Sequence, residues 1–85
     1  MVVADDSVTM RTIIQKELEA SGFTVVTCSD GLETLMSLRG METPPDLITL
    51  DIDMPRMDGF ACCEQLRALE RQGLFGNPEA QIPVL

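Results

Sequence analysis

The stretch Leu47-Ile48-Thr49-Leu50-Asp51-Ile52-Asp53-Met54-Pro55-Arg56-Met57-Asp58-Gly59 constrains this chain more than any other part of it. An apolar run ends on a carboxylate, a loop containing Pro55 follows, and an Asp-Gly pair closes the loop where a helix can open. Such a run suits a central parallel strand, because both of its faces are covered by other elements. Open α/β sheets hold ligands just outside the carboxyl ends of their strands, so Asp51 stands where chemistry is usually done.

The rest of the chain alternates strand and helix signals in a β-α-β-α-β-α-β order, with no internal repeat, low-complexity segment or linker. Val2-Val3-Ala4 is a short apolar strand ending at Asp5-Asp6, and Ser7 is placed to cap a helix. Met10, Ile13, Ile14 and Leu18 recur at helical spacing in that helix, and Gly22 stops it. Residues 24–28 are rich in β-branched side chains and read as a second strand. Ser29 and Asp30 cap a second helix with Leu32, Leu35 and Met36 as its apolar stripe, ended by Gly40. Thr43-Pro44-Pro45 breaks the chain before the third strand. The helix opened by Asp58-Gly59 is expected to turn Phe60, Cys63, Leu66 and Leu69 inward and to fade by Gln72-Gly73. Gly76-Asn77-Pro78 is a loop, and Ile82-Pro83-Val84-Leu85 opens a fourth strand.

Alternation of this kind predicts a doubly wound parallel sheet with helices on both faces, joined by right-handed crossovers. If the first and third strands are neighbours, Asp5, Asp6 and Asp51 meet at one edge of the sheet, where the winding reverses. Three carboxylates in a shallow pocket repel one another, and protonation or a cation relieves that repulsion. Magnesium suits the donors, since it takes oxygen ligands, keeps several waters and is commonly held by one or two carboxylates and a phosphate oxygen. Manganese is a second candidate.

Charge and cysteine usage narrow the partners. Fourteen acidic against six basic residues give a net charge of −8, which disfavours nucleic acid and anionic membrane surfaces. No apolar run nears the roughly 20 residues of a membrane span, and no signal pattern opens the chain. Cys28, Cys62 and Cys63 are odd in number and form no disulfide framework, so they read as small buried side chains in a reducing, cytoplasmic compartment. A zinc site lacks histidine altogether.

The pair Asp5-Asp6 followed by Ser7-Val8-Thr9-Met10-Arg11, together with Leu50-Asp51-Ile52-Asp53-Met54-Pro55-Arg56-Met57-Asp58-Gly59, resembles the receiver domain of two-component response regulators, and the single-domain chemotaxis receivers in particular. The resemblance implies the flavodoxin-like (CheY-like) receiver fold. It further implies that Asp51 is the phosphoacceptor, that Asp6 binds magnesium directly and Asp5 largely through water, and that Asp53 offers its backbone carbonyl to the metal. The implied donor is a phosphohistidine on a sensor histidine kinase or a histidine phosphotransfer protein. These 85 residues contain no histidine, so the donor lies outside them. The domain would act as a phosphorylation-controlled switch and not as an enzyme in its own right, on a downstream effector that the residues do not name.

The same resemblance marks what residues 1–85 leave out. As one partial receiver domain, they lack the fourth and fifth helices and the fifth strand, with the Ser or Thr and the Lys that close the family's site. Lys16 lies within the first helix and cannot replace that lysine. The short first strand suggests a trimmed start as well. An apolar face and an open strand edge left by these losses would favour self-association. Two other readings stand beside the receiver: a haloacid-dehalogenase-type phosphatase, since Asp51-Ile52-Asp53 fits a nucleophile-x-acid pattern, and a receiver-shaped interaction module that takes up no phosphate. A calcium loop starting at Asp51 fails, with Arg56 where glycine is needed and Cys62 where a bidentate Glu is needed.

Overall fold

The computed structural model describes residues 1–77 and 81–85. Its elements run β1 (Val2–Ala4), α1 (Val8–Ala20), β2 (Val26–Cys28), α2 (Gly31–Arg39), β3 (Ile48–Leu50) and α3 (Gly59–Arg71). The strands form one parallel sheet in the order β2-β1-β3. The expected doubly wound, incomplete receiver-like architecture is therefore the observed one. β2 is shorter than the β-branched run suggested: only Val26, Thr27 and Cys28 find partners, opposite Val2, Val3 and Ala4.

Each helix begins on the side chain expected to cap it. The Ser7 hydroxyl accepts from the Met10 N–H, the Asp30 carboxylate from the Glu33 N–H and the Asp58 carboxylate from the Ala61 N–H, each satisfying a donor the first turn leaves orphaned. The C-terminal stops also follow the sequence. Gly22 and Gly40 close α1 and α2, and α3 gives way at Gln72.

Two of the expected apolar stripes are rotated. In α2 the buried side chains are Thr34, Leu35 and Leu38, while Met36 is 64% exposed and Leu32 also faces water. In α3 the helix buries Cys62, Leu66 and Glu70, whereas Phe60 is 71% exposed and Cys63 only half-buried. Both helices carry apolar residues on two faces, so spacing alone could not fix which face turns inward. Packing against each other and against the sheet decides it. The core that results joins Val2, Ala4, Cys28 and Ile48 of the sheet to Leu35, Leu38, Cys62 and Leu66 of these two helices, with Met54 and Ile82 at its margin.

The opposite face of the sheet carries α1, which packs on β1. Val3 is fully buried there, yet no residue of α1 is, and Met10 and Ile13 remain largely exposed. Beyond β3, the expected fourth strand is represented by one parallel bridge, Ile48 with Val84. The Ile48 N–H donates to Pro83 O at 3.0 Å, and the Leu85 and Leu50 amides extend the pairing at 2.9 Å each. Pro78, assigned to the preceding loop, lies outside the described residues. The segment is held from α3 as well, where the buried Glu70 carboxylate takes the Ile82 N–H at 2.7 Å and pairs with Arg67 at 2.7 Å.

The rotated stripe of α3 can be checked directly. Leu66→Ala should lower stability by about 2–5 kcal/mol, a large share of a small domain's total, while Phe60→Ala should stay within about 0.5 kcal/mol. Urea unfolding followed by circular dichroism compares them. Equal losses would return Phe60 to the core.

Candidate functional site

Strand register builds the site. Ala4 and Leu50 are direct partners in the β1–β3 ladder, so the residues that follow them, Asp5 and Asp51, leave the sheet side by side. Two backbone bonds fix this exit: Asp51 N–H donates to Ala4 O at 2.9 Å, and Asp5 N–H to Cys28 O at 3.1 Å. Asp5, Asp6 and Asp51 each bring a carboxylate oxygen into a cluster whose members all lie within 4.8 Å of one another. The side chain of Asp53 is outside that cluster and exposed. Its N–H instead points back at Asp51 Oδ1, at 3.4 Å.

The surrounding loops are tied down on both sides. On the β1 side, Asp5 Oδ1 accepts the Ser7 N–H at 2.9 Å, and Arg11 Nη1 donates to the Asp5 carbonyl at 2.6 Å. On the β3 side, Gly59 N–H donates to Ile52 O at 3.1 Å, and a Cβ at position 59 would collide with the Asp51 carbonyl group. Only glycine lets α3 start so close to the strand end. A cavity of about 190 Å³ opens beside Asp5 and Asp51, walled by Val3, Ile14, Thr49 and Leu85. Lys16 is exposed on α1 and is not paired with the cluster; among the described residues, the ion pairs are Arg56 with Asp30 and Arg67 with Glu70.

The first of these pairs was not visible in the sequence, where Asp30 reads as a helix cap and Arg56 as a loop residue. Asp30 is buried, at 4% exposure. Its Oδ1 caps α2 and its Oδ2 receives Arg56 Nε at 2.8 Å and Nη2 at 2.7 Å. Its carboxyl is held below the ordinary value of 3.8, chiefly by the Glu33 N–H and then, against the opposing effect of burial, by Arg56. Arg11 was likewise missed, although its position six residues after Asp5 and one turn into a capped helix is the available signal. The cysteines are chemically quiet: Cys28 and Cys62 are buried and unbridged, and burial, with the neighbouring Cys63 and Cys28 thiols and Asp30 adding to it, pushes Cys62 up to about 11.

A cluster of oxygen donors at the carboxyl edge of a parallel sheet is a donor set that suits a hard cation, at the edge where open α/β sheets place their ligands. Comparison with known proteins makes the class specific. Residues 1–75 match the response regulator receiver domain family, and the chain belongs to it, as a receiver of two-component signalling. It is 46% identical over 68 residues to the alkaline phosphatase synthesis transcriptional regulatory protein PhoP of Bacillus subtilis, covering 79% of this chain and 27% of that protein. Among solved structures it resembles the N-terminal domain of a response regulator receiver protein from Methanoculleus marisnigri, with TM-score 0.78 and 34% identity over 98% of this chain and 60% of that one. It also resembles the response regulator TrrA of Thermotoga maritima in complex with Mg(2+)-BeF, with TM-score 0.72 and 30% identity over 79% of this chain and 56% of that one. The chain thus spans about a quarter of the curated relative and a little over half of the solved ones. The family match decides against the phosphatase reading. No helix among the described residues is long and apolar enough to cross a membrane.

The lowered Asp30 carboxyl carries a pH dependence whose sign is fixed. Folding favours its charged form, so the stabilisation is complete above the unfolded value near 3.8 and is lost as pH falls through the lower, folded value. Asp30→Asn, which keeps a good cap, should therefore lose less stability than wild type between pH 5 and pH 2. Parallel acid-limb profiles in thermal melting would show no difference if Asp30 were unperturbed.

Proposed function

We propose that Asp51 is the phosphoacceptor of this receiver and that Asp5, Asp6 and the Asp53 backbone carbonyl, together with Asp51, hold magnesium beside it. The convergence of three carboxylates on paired strand ends carries this reading. The donor set fits the ion: all ligands are oxygens, and the open side leaves room for water and a phosphoryl oxygen. When bound, magnesium would offset the repulsion between the carboxylates and the incoming phosphoryl group. Residues 1–85 would form one partial receiver domain that carries the acceptor.

Asp51 is suited to the chemistry. Its carboxylate oxygen attacks phosphorus, a new O–P bond forms, and the N–P bond of a phosphohistidine breaks with its electron pair returning to the imidazole. The chain's part is alignment: the Ala4 bond and the close start of α3 fix the Asp51 backbone, leaving the carboxylate at the open edge. The acyl phosphate, doubly charged where the free carboxylate is singly charged, adds one negative charge and three phosphoryl oxygens where β3 meets α3, and this change drives the switch. The phosphoryl donor is a sensor histidine kinase or a histidine phosphotransfer protein in the cytoplasm, the output is an effector protein or domain, and the chain's own chemistry is confined to gaining and losing its phosphoryl group.

Acetyl phosphate with magnesium should add one phosphoryl group at Asp51, removable by hydroxylamine, in a chain carrying the remaining receiver elements. Asp51→Asn should abolish it, and residues 1–85 alone should react far more slowly without the lysine. Mass spectrometry reads the site. Phosphate on Asp53 with Asp51 unmodified overturns the assignment, and no uptake by the longer chain supports a plain interaction module.

Magnesium titration tests the ligands separately. Asp6→Ala should weaken binding at least tenfold, and Asp53→Ala, which keeps its backbone carbonyl, much less; manganese should follow the same order. Equal losses would show the ligand set to be wrong.

A further inference from the structure

Among the described residues, Arg56 is the one non-glycine with positive φ, at 63°. The Met57 N–H reaches back to Pro55 O at 2.6 Å around it, a tight three-residue turn of the strained hand. Such a conformation persists where surrounding contacts over-determine it. Here the contacts all lead to the start of α2. The Arg56 guanidinium closes on Asp30 Oδ2 through two nitrogens, the Met57 carbonyl accepts the Gly31 N–H at 3.0 Å, and Cys62 Sγ meets the Gly31 carbonyl at 3.5 Å. Gly31 has no side chain because there is no space for one: a Cβ would stand 2.5 Å from Met57 O and 3.0 Å from Cys62 Cβ.

These ties fall on the loop that leaves Asp51. Its ends are anchored at the Ala4 carbonyl and at Gly59, and Met54 is buried in the core, but Asp53 itself is exposed and held only by a long bond to Asp51. The shape of the loop beyond Asp53 therefore depends on the Arg56 turn. Asp30 depends on Arg56 in return, because a buried carboxylate without its cation is costly.

We propose that Arg56 is a positioning residue for the Asp51 site: by closing on the buried carboxylate of Asp30, it holds the loop in the shape that presents the Asp53 carbonyl to a cation, and links the start of α2 to that cation. The inference rests on the Asp51 reading above for the cation, and on geometry alone for the loop.

Two substitutions in the full chain separate this from a general loss of stability. Asp30→Asn removes the charge while keeping the cap. Arg56→Gly removes the guanidinium while leaving a residue at ease with positive φ. Amide hydrogen exchange at Gly31 and Met57 without metal, and calorimetric titration with magnesium chloride alone, are measured for both. Each variant should speed exchange at those two amides at least fivefold, leave Val3 and Thr49 unchanged, and weaken magnesium at least threefold. The double variant should be no worse than the worse single one, and Arg56→Lys should recover part of the loss. Asp58→Asn, an equal charge change at another cap, should stay near wild type.

Unchanged exchange at Gly31 and Met57, exchange raised throughout the sheet, or an equal magnesium loss in Asp58→Asn would each overturn the proposal. A wild-type chain that binds no magnesium while the exchange pattern holds would overturn the reading of Asp51 and the cation link, and would support Arg56 as the residue that holds the loop.

Discussion

The pairing of Ala4 with Leu50 is the constraint on which the rest depends. A shift of the β1–β3 register by one residue would exchange the faces of every side chain in the strand and move Asp51 away from Asp5. The register is held by burial on one face, where Val2, Ala4 and Ile48 meet α2 and α3, and by Val3 on the other. The carboxylate cluster is thus a consequence of apolar packing: the core chooses the register, and the register brings the charges together. Such a cluster, beside a strand end that donates its own N–H to the neighbouring strand, gives a site fixed in its backbone and open in its side chains.

Much of this was legible in the residues. All three helix starts were marked by Ser7, Asp30 and Asp58, because capping is a local event between neighbours in sequence. The strand ends were marked by the change from apolar to acidic residues at Asp5 and Asp51. The inward faces of α2 and α3 were less legible. Leu32 and Met36 compete with Leu35 and Leu38, and Phe60 and Cys63 with Cys62 and Leu66; each set satisfies a helical period, and the choice is made by the neighbouring helix and the sheet. The Asp30–Arg56 pair spans 26 residues, so no spacing rule reveals it.

Buried carboxylates recur on this scaffold with the same economy of use. Asp30 caps a helix with one oxygen and holds the β3–α3 loop with the other. Glu70 pairs with Arg67 through one oxygen and fixes the Ile82 N–H with the other, steering the chain into its bridge with Ile48. Each takes a charge out of water, and each is compensated by a cation and a backbone donor together, the combination that makes a buried charge tolerable. One shapes the loop after β3, the other the segment alongside it.

Within residues 1–85 the two layers around the sheet are unequally packed, and the acidic cluster lies between their entries. On one face α2 and α3 pack on each other and share a continuous core; on the other, α1 rests on β1 with no fully buried residue of its own. Asp5 and Asp6 lead directly into α1, whereas Asp51 leads through its loop into α3. A cation held by all three, as proposed, would bridge the entry of one layer to the entry of the other. Its binding energy would then act on the entries to both layers at once. A phosphoryl group at Asp51 would add its charge at the same junction, beside a loop already held by Asp30, Gly31 and Gly59.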